Sequence, residues 1–266
     1  MFFQKALAFL KRDLQENLSF KTSIVFELIS ITAQCWVFFY LGKFVQGSWK
    51  SLVSEDYFTF LLFGVAFAGY QFAALQGFSL AIHREIGAGT LEAVLLTGTH
   101  PVTLIFSSAF WNFTFTTLKI AAWLMVGTIF FHLDLSRLNI AAFSAGLAMT
   151  VFSLLGLGML SAAFILVFKR GDPVCWLLNG LTRLFSGIYF PLALLPLWAQ
   201  KSALFLPMTH SIHIIRASVE GSPVSSLGPS FLALAVFSAV LLPLGLLAFS
   251  AAVRISKTEG SLGFTD

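Results

Sequence analysis

Charged side chains are scarce in this sequence. Of its 266 residues, 11% are charged and 58% are hydrophobic, and 31 are Phe. A soluble globular domain carries about 25% charged residues. A soluble fold of this length has too little interior to bury so much apolar surface. The composition excludes an ordinary soluble protein and predicts an all-α polytopic membrane protein.

Residues that bind metals or attack substrates are also few. The two cysteines, Cys35 and Cys175, lie in or beside apolar runs and form neither a disulfide framework nor a metal cluster. His210 and His213 lie near Glu220, but zinc needs three well-placed ligands, and we interpret these residues as interfacial polar groups. The spans contain no paired acids and no Ser–His or Ser–Lys arrangement. We expect no metal site and no catalytic residue.

Two further motifs are missing. The phosphate-binding pattern G-x-x-x-x-G-K-[ST] does not occur, so any ATP that drives this chain is hydrolysed by another polypeptide. The basic face that binds nucleic acid is absent as well. We therefore expect no cofactor in this chain, with ATP and Mg²⁺ bound by a separate ATPase, and no nucleic-acid partner.

Long apolar runs dominate instead. A membrane-spanning helix needs about 20 mostly apolar residues. Six runs meet this length and predict six spans, at 22–41, 57–82, 102–131, 139–168, 174–190 and 229–253. An even number of spans places both termini on one side of the membrane.

The positive residues predict which side that is. Basic residues concentrate in cytoplasmic segments of membrane proteins. With both termini inside, nine basic residues fall in cytoplasmic segments: Lys5, Lys11, Arg12, Lys21, Arg84, Lys169, Arg170, Arg254 and Lys257. Five fall outside: Lys43, Lys50, Arg137, Lys201 and Arg216. We predict a multi-pass protein of the cytoplasmic (inner) membrane with both termini in the cytoplasm.

The two ends of the chain differ in pattern. Residues 1–21 carry apolar side chains at helical spacing, with basic residues largely on another face, which predicts an amphipathic helix bound to membrane lipids. An interfacial anchor and a part in gating remain open for this helix. Residues 254–266 are expected to form a cytoplasmic tail.

The fifth span is irregular. Pro191 and Pro196 follow it closely, and each proline removes a helical hydrogen bond. Non-helical backbone at membrane depth persists only when it is buried in protein or faces water. We therefore predict a re-entrant hairpin from Pro191 to Pro207 and a short outer helix to residue 217.

Three ionisable residues fall within predicted spans: Glu27, Lys119 and Arg183. Glu27 and Lys119 are expected to extend toward water. Arg183 is either a structural partner for carbonyl groups released by the hairpin or a contact of the substrate. Aromatic residues such as Trp36 and Phe185 have two interpretations, as membrane-interface residues or as the lining of a route for an amphipathic substrate.

The segment 83–101 is more elaborate than a turn between spans requires. Gly87 and Gly89 interrupt the second helix, and Thr90 is a suitable N-cap for a new one. Leu91, Val94 and Leu95 would share one face of that helix. Glu85 and Glu92 disfavour contact with anionic lipid, so we expect the helix to dock in a groove of a partner protein.

These motifs together resemble those of ABC-2 type transporter permeases. The coupling helix of the family resembles Glu85, Gly89-Thr90-Leu91-Glu92, Leu95 and Pro101. The outer hairpin of the family resembles residues 186–191 with Leu195-Pro196. A third motif of the family resembles residues 206–210 with Ile215-Arg216. Two departures are Leu206, where the family has Asn, and the extra Gly87-Ala88 before Gly89.

The resemblance implies a non-catalytic exporter subunit that pairs with a second permease copy, as a homodimer, and with ABC ATPase subunits. It implies ATPase coupling through Glu85, Gly89, Thr90, Leu91, Glu92 and Leu95. It implies an outer gate at Gly187, Tyr189, Phe190, Pro191, Pro196 and Pro207. The expected substrate is a lipid, glycolipid or drug-like molecule. Export of a lipid-linked polysaccharide and an ATP-independent channel or scaffold are the alternatives.

Overall fold

The computed structural model describes residues 21–49, 56–87, 101–168 and 173–258. These ranges are helical and contain no strand, which confirms the predicted all-α class. The helices are α1 (Lys21–Trp49), α2 (Tyr57–Gly87), α3 (Pro101–Phe131), α4 (Ile140–Phe168), α5 (Pro173–Phe185), α6 (Leu197–Ala203), α7 (Pro207–Val219) and α8 (Gly228–Thr258). Two 3₁₀ turns lie at Leu192–Leu194 and Val224–Leu227.

Five of these helices, α1 to α4 and α8, are long and apolar enough to cross a membrane. They coincide with five of the six predicted spans and support a polytopic membrane protein. Helix α8 contains Pro243 and continues to Thr258, beyond the predicted span 229–253.

The predicted helix over 174–190 has the wrong boundaries. Helix α5 has 13 residues and ends at Phe185. At 1.5 Å per residue it is about 20 Å long, shorter than the hydrocarbon core of about 30 Å. The chain then bends, and Gly187 adopts the left-handed region at φ 77°. A residue in that conformation cannot continue a right-handed helix.

The first three helices run antiparallel. The rings of Phe58 in α2 and Phe131 in α3 lie 5.1 Å apart near one end, and the Tyr70 and Thr117 hydroxyls meet at 2.9 Å nearer the middle. The rings of Trp49 and Tyr57 lie 4.5 Å apart, at the same end as Phe58. Consequently Lys21, Gly87 and Pro101 lie together at the opposite end of the bundle.

Helix α4 forms the centre of the fold and packs against α8, α2 and α7. Its close contact with α8 depends on glycine, because a Cβ on Gly245 would lie 2.6 Å from the Gly156 carbonyl oxygen. Small residues let membrane helices approach closely enough to gain dispersion energy. The hydroxyl of Ser256 donates to the Leu166 carbonyl at 3.2 Å, so Thr258 lies at the same end of the bundle as Phe168.

Candidate functional site

The bend, residues 186–190, lies toward the end of the bundle opposite Lys21, Gly87 and Pro101. Within it Ser186, Gly187 and Ile188 are buried, whereas the Tyr189 side chain is 39% exposed. The Ser186 amide donates to the Thr182 carbonyl at 3.0 Å, and the Ser186 hydroxyl donates to the same oxygen. These bonds close the last turn of α5 before the chain leaves the helix.

Arg216 of α7 joins the bend to α2. Its Nη1 donates to the Gly187 carbonyl at 2.9 Å. Its Nη2 donates to the Phe60 carbonyl at 2.8 Å and to the Ile188 carbonyl at 3.2 Å. The guanidinium carbon also lies 3.4 Å from the centre of the Phe60 ring. A planar guanidinium with several fixed donors suits this combination of carbonyl bonding and ring stacking.

Gly64 lets the bend reach α2. A Cβ at this position would collide with the Ile188 carbonyl oxygen and lie 2.8 Å from Nη2 of Arg216. Gly64 is buried one turn after Phe60 on the same helix. The sequence of α2 therefore provides both an acceptor for Arg216 and the space in which the bend lies.

The three prolines of the predicted hairpin each begin a new element. Pro191 precedes the 3₁₀ turn, Pro196 is the N-cap of α6, and Pro207 is the first residue of α7. Proline suits these positions because its fixed φ fits a helix start, where its missing N–H is not needed. Gln200 donates to the Leu195 carbonyl at 2.8 Å and further stabilises the loop before α6.

Arg183 does not bind the carbonyl groups of the bend. It is exposed on α5, seven residues after Trp176, which is 80% exposed, so both side chains lie on the outer face of that helix. The expected structural role belongs instead to Arg216. A role for Arg183 on a substrate path remains a prediction.

The aromatic residues predicted for that path fall into two groups. Trp36 stacks on Tyr40 at 5.7 Å and meets Phe131 edge-on at 5.4 Å. Phe185 meets Trp198 of α6 at 5.9 Å. The first group belongs to α1 and α3 and the second to α5 and α6, and no ring contact joins them among the residues that the structure describes.

Glu27 and Lys119 form a single ion pair. The Lys119 ammonium lies 2.6 Å from the Glu27 carboxylate, and their side chains are 38% and 32% exposed, respectively. The ammonium also lies 4.8 Å from the centre of the Phe115 ring. The prediction treated these residues as separate charges that extend toward water. Both lie within spanning stretches, 24–45 and 110–131, and each neutralises the other.

The histidines of α7 make hydrogen bonds within the protein. A ring nitrogen of His210 lies 3.0 Å from the Leu204 carbonyl, and Nδ1 of His213 lies 3.1 Å from the Ser230 hydroxyl. Desolvation, and secondarily His210, lower the pKa of His213, whereas Glu220 acts in the opposite direction. Across the described ranges, no group of three His, Cys, Asp or Glu residues is placed to hold a metal ion.

Most of the predicted coupling residues cannot be placed. Residues 89–95, with Gly89, Thr90, Leu91, Glu92 and Leu95, lie outside the described residues. Glu85 lies in the last turns of α2. Because α2 and α3 are antiparallel, the connection 88–100 leaves and re-enters the bundle at the end opposite the bend.

Comparison with known families decides the class of this protein. The model of the ABC-2 type transporter family matches residues 5–219, most of the chain. The chain belongs to the ABC-2 type transporter family. A search of curated proteins found no match. Membership makes this chain a transport permease, in agreement with its apolar helices.

In the sequence, Arg216 of this ABC-2 permease stands out only as the last residue of the third family motif. A signal for its orientation was nevertheless present. Met208, Ile212 and Ile215 are buried and recur at helical spacing, and Arg216 lies four residues after Ile212 on the same face. That periodicity indicates an arginine directed into the protein. Nothing in the sequence of α2 alone identified Phe60 and Gly64 as its neighbours.

Proposed function

We propose that this chain is the membrane subunit of an ATP-driven exporter of an amphipathic molecule, such as a lipid, glycolipid or drug-like compound. A separate ABC ATPase would bind the coupling segment, residues 83–101. Two copies of this chain would surround the route across the inner membrane. The bend and the following loop, up to Pro207, would form the outer gate.

The observation that carries this proposal is the course of α2. The helix has 31 residues and is about 46 Å long. Its last residues, up to Gly87, belong to the coupling segment. Its other end holds Phe60 and Gly64 against Arg216 and Ile188. Packed helices shift as rigid elements. Movement of the coupling segment would therefore be passed to the bend without an intervening hinge.

The proposed topology has six passes, with α5 and the bend together forming the fifth. Gly158 of α4 lies against Phe78 of α2, and Phe143 lies against Phe67, so α4 and α2 run in the same direction. Thr258 therefore shares an end of the bundle with Lys21, which favours an even number of passes between them. The basic residues favour the cytoplasm for that end. In this orientation the coupling segment faces the ATPase and the bend faces the outer side.

Reversal of the charge at Glu92 tests the coupling role. We expect Glu92→Arg to insert normally but to reduce transport and permease-dependent ATP hydrolysis at least about tenfold, which corresponds to 1.4 kcal/mol of coupling free energy. Glu259→Arg reverses a charge on the same predicted side, outside the coupling segment, and should retain both activities. Unchanged transport in Glu92→Arg would contradict the coupling role.

Purification tests the partner. The tagged full chain, extracted gently from its native host, should bring down an ATPase that contains the phosphate-binding motif. A complex that never contains such a subunit would favour the ATP-independent channel or scaffold.

A further inference from the structure

A groove of about 240 Å³ lies between α2 and α3. It is open because α2 presents small side chains along one face, at Ala66, Gly69, Ala73 and Gly77. The residues that line it extend from Val65 to Leu80 along α2, a distance of about 22 Å. The groove therefore follows the membrane-spanning part of these two helices.

The two halves of the groove differ in polarity. Ile120 and Trp123 of α3 face Val65 and Ala66 at one end. Lys119 lies near the middle, and Asn112 and Gln76 lie toward the end at which Gly87 and Pro101 meet. The lining thus changes from wholly apolar side chains at one end to a mixture in which Phe72, Phe115 and Leu80 accompany the cation and the two amides.

Lys119 is the one charged residue among those that line the groove. Its ammonium binds Glu27, which is not part of the lining, and its side chain remains 38% exposed. An ammonium has three donors, and Asn112 and Gln76 supply further amide donors. A charge at membrane depth is expensive and is most often functional. Glu27 balances the charge of Lys119, so this arrangement suits a group such as phosphate, whose oxygens accept hydrogen bonds from the donors that Glu27 leaves unused.

The volume of the groove limits the ligand further. Pockets that enclose drug-sized molecules measure about 300–1,000 Å³. A groove of about 240 Å³ holds only part of such a molecule and leaves the remainder in the bilayer. This favours an amphipathic molecule with a compact head and a hydrocarbon chain.

We propose that the groove between α2 and α3 binds the phosphate-bearing head and adjoining chain of an amphipathic lipid. Lys119, Asn112 and Gln76 would bind the head, and Trp123 and Val65 would contact the chain. This inference rests on the proposed function, since it names the class of amphipathic molecule that the exporter accepts. The chemistry that recognises the head is the phosphate group, which a free phosphate ion shares.

The test measures ligand binding to the purified full chain, without an ATPase, as thermal stabilisation over a range of ligand concentrations. The probes are a short-chain phosphatidylglycerol, the matching diacylglycerol without phosphate, and inorganic phosphate. We expect phosphatidylglycerol to bind at least about tenfold more tightly than diacylglycerol. Inorganic phosphate should give no stabilisation.

Three variants locate the binding site. Ala73→Leu fills the groove and should weaken phosphatidylglycerol binding at least about tenfold. Ala121→Leu makes the same change on an exposed face of α3 outside the groove and should bind like the wild type. The double variant Glu27→Gln/Lys119→Gln removes both charges together and should abolish the preference for phosphatidylglycerol over diacylglycerol.

Three results would overturn the proposal. Stabilisation by inorganic phosphate as strong as that by phosphatidylglycerol would indicate a site for the free ion. Equal binding of both lipids to the wild type, or equal binding of phosphatidylglycerol to Ala73→Leu and Ala121→Leu, would place the lipid elsewhere. Because no ATPase takes part, failure here is distinguishable from failure of the coupled exporter, which the Glu92→Arg experiment tests.

Discussion

Arg216 and Lys119 are two cations held in different ways. Arg216 donates to main-chain carbonyl groups of Phe60, Gly187 and Ile188, which belong to two separate segments. Lys119 binds one side chain, Glu27, and both remain partly exposed beside a groove. Carbonyl acceptors cannot leave Arg216 unless the backbone moves, whereas a carboxylate can rotate away. Arg216 therefore holds the bend against α2, whereas Lys119 remains accessible to a ligand.

The largest expected effect comes from removal of the Arg216 guanidinium. Arg216→Ala leaves three carbonyl groups without their donor, and hydrogen bonds to charged groups contribute about 1.5–3 kcal/mol each. We expect a loss of at least about 3 kcal/mol in stability, since the three bonds are not fully additive, and loss of transport. Arg216→Lys keeps the charge but not the planar set of donors, so its stability and transport should lie between those of the wild type and those of Arg216→Ala. Thermal unfolding in detergent measures the first effect, and transport in vesicles measures the second.

The outcome for Arg216→Lys sharpens the comparison. If this variant matches the wild type in both assays, a point charge is sufficient, and Arg216 would not differ from Lys119 in the way described above.

A smaller effect is expected at Gly64. Gly64→Ala places a methyl group against the Ile188 carbonyl and Arg216, and such overpacking costs about 1–3 kcal/mol. Gly180→Ala is the matched control, because no atom lies within 4 Å of its new Cβ and alanine favours a helix. Thermal unfolding should show a lower midpoint for Gly64→Ala and no decrease for Gly180→Ala. Equal unfolding midpoints for Gly64→Ala and Gly180→Ala would mean that the bend does not pack closely against α2 at Gly64.

The smallest effect is expected for the ion pair. Glu27→Gln removes the carboxylate but keeps an oxygen that accepts a hydrogen bond from Lys119, and polar interactions between membrane helices contribute about 1 kcal/mol, so we expect a loss of about 1 kcal/mol. A double-mutant cycle with Lys119→Gln isolates the pairwise energy. A coupling energy as large as the Arg216→Ala effect would show that the pair is structural, contrary to the comparison.

The sequence predicted the long helices well because hydrophobicity governs them. The runs that became α1 to α4 and α8 are apolar over about the thickness of a bilayer, and lipid demands this of any spanning helix. The length of the apolar run 174–190 did not predict that α5 ends at Phe185. That end depends on Gly187 and on the packing of α5 against α2, where buried Gln71 donates to Thr182 at 2.6 Å.

The candidate site was only partly predictable. The prolines predicted an irregular segment after the fifth apolar run because they restrict the backbone directly, and Gly187 was identified through the family resemblance. Arg183 was predicted to bind the bend because it lies within an apolar run. Which arginine does so depends on the helix face that is covered, and that face belongs to Arg216. The Glu27–Lys119 pair joins residues 92 positions apart, and one sequence carries no signal for such a contact.

The central claim is that α2 transmits movement from the coupling segment to the bend. The most direct test is the rate at which a membrane-impermeant maleimide modifies Tyr189→Cys in the assembled transporter. Ala141→Cys, exposed at the start of α4 at the same end of the bundle, is the control. The account predicts that trapping the ATPase with ATP and vanadate changes the rate at Tyr189→Cys alone, and that Glu92→Arg abolishes this change. The same rate with and without trapped nucleotide, in a transporter that remains active, would contradict it.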